Sequence, residues 1–378
     1  MLSELLPYCL IPPCGASLIW GRRHGSETRK QHQEDSANPR FSCNNDRPAV
    51  HTEWRTRKTL MLKDVLSVGT LSAPQGEKRY GVNEFLVERQ PYRLPMWLIN
   101  GVGEGPTLVV TGGVHAAEYA SIAAALELGR SLDPASLSGR VIVVPIVDMP
   151  AFTARSIYVC PLDGKNPNRV FPGNPHGSAS EQIADWVFRN VISQAAHYVD
   201  LHGGDLIEAL VPFTIFFRSG DKRVDEASLE MARAFGIPFL VCSETPGSTF
   251  CAASRAGIPS ILTEAGGQGI WTAEDVRCHS NGLNRLMRHL KMIPGTAPET
   301  VPVTLLEQFL WLRSEHEGFW YPAVAVNDRV KAGQNLGVIE DCEGHVLQTA
   351  ISPADGVVLF LVSSLAINRS DPLLAVGA

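Results

Sequence analysis

The stretch VVTGGVHAAEYASIAAALELG, residues 109–129, sets the frame for the whole chain. An apolar run stops at two glycines, and a histidine and a glutamate follow as His115-x-x-Glu118. Apolar residues then recur at helical spacing until Asp133-Pro134 ends the segment. The succession reads as a buried strand, a sharp turn and a helix. In open α/β sheets ligands bind outside the carboxyl ends of strands. Two readings compete at this corner. One is a metal site, since residues three apart near a helix start share a face. The other is a capping glutamate beside a hydrogen-bonded histidine, and an isolated HxxE favours it. Gly112 and Gly113 allow the backbone to turn sharply, and Ala116 and Ala117 leave room over the pair.

The same alternation continues on both sides. VLSVGTL, YGVNEFLVE and RLPMWLIN read as strands before it, and GRVIVVPIVD, HYVDLHGG, VPFTIFF, PFLVCS and PSILTEAGG as strands after it. SASEQIADWVFRNVISQA, with Ser178 or Ser180 as N-cap, DEASLEMARAFG and AEDVRCHSNGLNRLMRHLKM read as helices. Strands alternating with helices predict an α/β fold with a mostly parallel or mixed sheet flanked by helices. From about residue 299 the texture changes to short alternating runs with Gly, Asp and Asn turns, which predicts a small all-β domain over 299–378. VKAGQNLGVI and SPADGVV resemble the turns of biotinyl/lipoyl-like barrels, but no lysine sits where such barrels carry a cofactor. A structural or oligomerisation role therefore suits this region better than a carrier role.

The 378 residues include 44% hydrophobic and 19% charged side chains, with a formal net charge of −6. That composition suits a soluble globular protein. It offers no basic stripe for nucleic acid and no apolar run long enough to span a membrane. The eight cysteines include no CxxC and read as reduced, which places the protein in the cytoplasm. Residues 1–60 are polar and aperiodic after a short apolar start, and carry nine Lys/Arg against six Asp/Glu. They are expected to be a disordered tail outside the fold. The catalytic part would then span 61–298.

Two further strand ends change the weight of the HxxE corner. In YVDLHGGD, His202 ends a strand before two glycines, with Asp200 two residues earlier to hold it from behind. His115, Glu118 and His202 together make a two-histidine, one-glutamate set with an open fourth position, as in catalytic zinc sites. In PSILTEAGGQG, Glu264 ends an apolar strand, where a carboxylate suits the general base of a water-activating metal site. Between them runs a long loop with Arg155, Asn168 and Arg169, residue types that recognise carboxylates and stabilise oxyanions. The alternative is that these arginines only keep the loop soluble.

The ordered set GGVHAAE, P-x-x-D-x-P-A-F, N-x-N-R-x-F-P-G, DLHGG and TEAGGQG resembles the succinylglutamate desuccinylase/aspartoacylase family, over about residues 62–378. The resemblance implies a zinc-carboxypeptidase-like fold with a small C-terminal all-β, barrel-sandwich-like domain. It implies one zinc ion per chain on His115, Glu118 and His202, with Glu264 as base and proton shuttle. It also implies that Asn168 and Arg169 bind a substrate carboxylate and that Arg155 polarises the scissile carbonyl. The family commonly writes G-N-E or G-D-E inside the first motif, so Ala116 and Ala117 are expected to alter the pocket wall. GDLIEALVPF after His202 looks like the acetyl-diaminobutyrate deacetylase branch. The expected activity is hydrolysis of a small N-acyl amino acid or related amide, in a chain that could form a homodimer or tetramer. A peptide-trimming metallocarboxypeptidase and a non-catalytic metal-binding protein are the competing readings.

Overall fold

The computed structural model of the chain describes residues 65–296, 299 and 301–378. The expected tail lies outside the described residues. A hairpin of β1 (Val65–Val68) and β2 (Leu71–Pro74) opens the fold. Then follow β3 (Glu77–Val87), β4 (Gln90–Asn100), β5 (Gly103–Thr111), β6 (Ser138–Val144) and β7 (His197–His202). A short β8 (Glu208–Leu210) precedes β9 (Phe213–Phe216), β10 (Phe239–Cys242), β11 (Ser260–Glu264) and β12 (Thr304–Leu306).

One mixed nine-stranded sheet runs in the order β12-β10-β9-β11-β7-β5-β6-β4-β3. Its centre, β11-β7-β5-β6, is parallel. Central strands of this kind are apolar on both faces because helices cover both sides. The period of two sorts their side chains. Leu108, Val110, Val141 and Val143 pack on one face with α1 (Tyr119–Ser131), α4 (Lys222–Phe235) and α6 (Ala273–His289). Val109, Ile142 and Val144 pack on the other with α3 (Ala179–Asn190) and α5 (Thr249–Arg255). A one-turn-and-a-half α2 (Met149–Ala154), capped by the Asp148 carboxylate, follows β6. Ser178 is the N-cap of α3 and forms a capping box with Glu181.

The C-terminal strands are β13 (Phe309–Arg313), β14 (Gly318–Pro322), β15 (Arg329–Val330), β16 (Asn335–Glu340), β17 (Val346–Ile351), β18 (Gly356–Val362), β19 (Ala366–Ile367) and β20 (Pro372–Gly377). They form two sheets, β13-β20-β18-β15 and β17-β16-β14-β19, around a core of their own that includes Trp320, Leu336, Ile339 and Leu374. The two regions exchange strands: β8 pairs with β18, and β12 pairs with β10. The described residues accordingly form one compact unit. The expected boundary at 298/299 falls beside residues outside those described. Among the described residues, no helix is long and apolar enough to cross a membrane, and all five cysteines are free.

Candidate metal centre and its cavity

The site is assembled by three adjacent parallel strands, β5, β7 and β11. Their register sets Thr111 opposite Asp200 and Glu264 opposite His202. Cross-strand partners share a face of the sheet, so Asp200, His202 and Glu264 stand on one side. Beyond β5 the chain turns at Gly113, whose φ of +58° favours glycine. A Cβ there would also lie 3.1 Å from Ile122 and Ile146. Gly203 allows the ends of β7 and β11 to approach, since a Cβ on it would lie 2.4 Å from the carbonyl oxygen of Ala265.

Glu118 occupies the N-cap position of α1 but makes no side-chain cap hydrogen bond. Its carboxylate faces the two imidazoles instead. Oε1 lies 2.7 Å from His115 Nδ1, and Oε2 lies 2.8 Å from His202 Nδ1 and accepts the Gly203 N–H at 3.0 Å. One donor atom from each of His115, Glu118 and His202 falls within 4.8 Å of the others. The far nitrogens are held as well. His115 Nε2 meets Asn166 Oδ1 at 2.9 Å, and His202 Nε2 meets Asp200 Oδ2 at 2.9 Å. Asp200 is itself buried and accepts hydrogen bonds from the Thr111 and Thr249 hydroxyls.

Each ring thus has an acceptor on both nitrogens, which requires a positive charge at the centre, either a ring proton or a metal ion. Burial would lower the charge affinity of His202, but Asp200 and Glu118 outweigh it and hold its pKa well above the ordinary value. Burial would raise the Glu118 carboxyl, but His202 and His115 bring it down to about 2. Two imidazole nitrogens and a carboxylate, with the other ring nitrogens held by acceptors, fit a zinc ion with an open position.

Glu264 stands next to His202 and is partly buried. Its Oε2 has no hydrogen-bond partner. Burial, reinforced by the nearby Glu118, raises its carboxyl well above the ordinary range. A partly desolvated carboxyl with an unused oxygen beside a metal-binding set can exchange a proton with a bound water.

The long aperiodic loop is pinned in place. Asp163 accepts from the Ser180 N–H and hydroxyl at 2.8 Å each, and Lys165 pairs with Glu181 at 2.9 Å, so the start of α3 anchors it. Asn166 then caps the 3-10 turn Pro167–Arg169. Asn168 is buried, accepts the Thr249 N–H at 2.9 Å and reaches His202 Nε2 at 3.4 Å. Asn168 and Arg169 both line the same cavity as His115, Glu118, His202 and Glu264.

Arg155 is not brought to this cavity. It ends α2 as a left-handed C-cap with φ of +55°, and it lines a separate apolar hollow with Tyr119, Phe152 and Trp271. The family resemblance carried its assignment, and the end of α2 turns it away. Ala116 and Ala117 differ from expectation too. Both are buried, Ala116 packs against Ile122, Ile146 and Ala151, and neither alanine lines the cavity.

The cavity, of about 240 Å³, has a wall that the sequence did not disclose. Trp311 and Arg313 on β13, Phe360 on β18 and Asp371 beside β20 face it from the C-terminal sheets. Arg313 donates to the Ser370 carbonyl at 3.0 Å and lies 5.6 Å from the Trp311 ring centre. Tyr158 on the long loop and Glu208 at the start of β8 line it as well. Asn166 was inside a quoted motif, and its place two residues before Asn168 was the one available signal. Nothing local marks Trp311 or Arg313, because β13 reads as an ordinary alternating strand.

Residues 104–290 match the family model of the succinylglutamate desuccinylase/aspartoacylase catalytic domain. The chain is 31% identical over 288 residues to an N-alpha-acetyl-L-2,4-diaminobutyric acid deacetylase from Halomonas elongata, covering 73% of this chain and 83% of the relative. The fold resembles the crystal structure of a succinylglutamate desuccinylase/aspartoacylase from Rhodobacter sphaeroides, with a TM-score of 0.72 and 28% identity over 79% of this chain and 94% of the other. It also resembles the product-bound ectoine utilization protein of Ruegeria pomeroyi, with a TM-score of 0.74 and 25% identity over 83% of this chain and 99% of that one.

Proposed function

Because the chain belongs to the succinylglutamate desuccinylase/aspartoacylase family, we propose that it is a zinc-dependent amidohydrolase that removes the acyl group from a small N-acyl amino acid. The observation that carries this reading is the convergence of His115 Nδ1, His202 Nδ1 and the Glu118 carboxylate, with the unpartnered Oε2 of Glu264 at the neighbouring strand end. His115, Glu118 and His202 would hold the ion. Zinc in such a site supplies Lewis acidity and lowers the pKa of a bound water toward about 7.

The protein's own residues do the remainder. Glu264 takes the proton of the attacking water and returns it to the leaving amine. Asn166 and Asp200 hold the two rings in the orientation that turns Nδ1 inward. Asn168 and Arg169, with Arg313 from the far wall, receive the substrate carboxylate. Neither arginine has an acidic partner within ion-pair distance among the described residues, so both guanidinium groups are available to an anion. Arg155, in its separate hollow, has no part in this scheme.

Drug-sized ligand pockets begin at roughly 300 Å³. The enclosing wall and a volume of about 240 Å³ therefore favour a small substrate over a peptide. The relative from Halomonas elongata makes N-acetyl-2,4-diaminobutyrate the first substrate to try. The test measures zinc content of the purified protein and amine release from a panel of N-acyl amino acids and peptides. Release of C-terminal amino acids from peptides would favour the carboxypeptidase reading. Stoichiometric zinc without hydrolysis of any compound would favour a non-catalytic one.

A further inference from the structure

Amide hydrolysis leaves one part of the cavity unused. Glu208, at the start of β8, lines the cavity, and its Oε2 accepts the Asp205 N–H at 3.1 Å. Asp205 is fully buried. Its Oδ1 accepts the Ile207 N–H at 3.3 Å, and its Oδ2 has no partner at all. Neither carboxyl pairs with a lysine, arginine or histidine within ion-pair distance among the described residues. Burial, with the nearby Glu118 adding to it, raises Asp205 to about 6, and burial, with the charge of Asp205 adding to it, raises Glu208 well above the ordinary range. Buried carboxyls without a counter-charge are costly, and a cation brought to them recovers that cost.

The same cavity therefore offers unpaired guanidinium groups at Arg169 and Arg313 and an unpaired carboxyl at Glu208. A ligand that satisfies both carries an anion and a cation. In an N-acyl amino acid the α-amine is blocked, so only the side chain can bring the positive charge. We propose that Glu208, held by the Asp205 N–H, is the specificity-determining residue that receives the side-chain ammonium of an Nα-acylated diamino acid. This inference rests on the deacylase reading. It adds the residue that selects the amino acid. Asp371, the other carboxylate of the wall, is less suited because its Oδ2 already accepts both the N–H and the side-chain amide of Asn368.

The test compares two substrates that differ only in the ammonium, Nα-acetyl-2,4-diaminobutyrate and Nα-acetyl-2-aminobutyrate, on zinc-loaded wild type and Glu208→Gln. Wild type is expected to prefer the charged substrate by about a hundredfold in kcat/KM, since sites built to pair a polar group reject analogues that lack it. In Glu208→Gln that preference falls to within about threefold, chiefly through KM. A merely structural role for Glu208 would depress both substrates alike and leave the ratio standing, which overturns the proposal. So would a wild type indifferent to the ammonium, and in that case the deacylase reading survives. Failure of wild type to hydrolyse either compound overturns the deacylase reading and this inference with it. Should Glu208→Gln lose all turnover, calorimetric binding of 2,4-diaminobutyrate against 2-aminobutyrate reads the same ratio, with a collapsed preference expected and an unchanged one contrary.

Discussion

The floor and the far wall of the cavity are built on different principles. The floor consists of three parallel strand ends in register, and each side chain there that could hold a metal is held at two points. His202 lies between Glu118 and Asp200, and Asp200 is in turn held by Thr111 and Thr249. The wall comes from the C-terminal sheets. Trp311 is 44% exposed, and Arg313 is fixed by one carbonyl and an aromatic ring. Chemistry needs groups held to a fraction of an ångström, and buried side chains on a central sheet supply that precision. Recognition tolerates more freedom, so it can be carried by a neighbouring region that meets the floor through the exchanged strands β8 and β12.

Substitutions that separate the two test this division. The largest effect is expected from Glu264→Gln on the floor. Turnover should fall by about a thousandfold while bound zinc, measured by atomic absorption, stays at the wild-type ratio. Loss of the metal together with activity would instead make Glu264 a ligand. Next comes the support behind the rings. Asp200→Asn should weaken zinc affinity by about 10- to 100-fold in a chelator competition. Asn166→Ala should weaken it less, because a neutral amide polarises His115 less than a buried carboxylate polarises His202. An inverted order would mean that His115 dominates binding.

The wall should respond differently. Arg313→Ala is expected to raise KM by about tenfold with kcat little changed, as for loss of uniform binding to a substrate carboxylate. An equal fall in kcat would move Arg313 into the floor's role. The smallest effect is expected from Trp311→Ala, a roughly twofold to fivefold rise in KM for small substrates. It should also give the first measurable turnover of longer N-acyl substrates, since removing the indole opens the wall. If only kcat responds to Trp311→Ala, the division between floor and wall fails.

Much of the floor was legible because its elements are local. Gly112-Gly113, His115, Glu118, His202 and Glu264 all sit at places where an apolar run stops, and strand ends are where α/β sheets place ligands. Arg155 shows the limit of that logic. Its residue type was right for an oxyanion, but a six-residue helix ending at Ala154 sends it to another hollow. Ala116 and Ala117 show it again, since small residues beside a site read as open space when both are in fact buried. Glu208 lay three residues after Asp205 in GDLIEALVPF, without any local mark of its place in the cavity wall.

The sequence by itself determined the layered α/β architecture, the β-rich C-terminal region and the order of the strand-end motifs. Those follow from the periods of two and 3.6 and from turn residues, which are properties of contiguous segments. Only the tertiary structure decided which acceptor holds each histidine, that Arg313 and Trp311 close the cavity, and that Arg155 does not. Those depend on strand register and on contacts between residues more than a hundred positions apart, such as β8 with β18, and no local pattern encodes them.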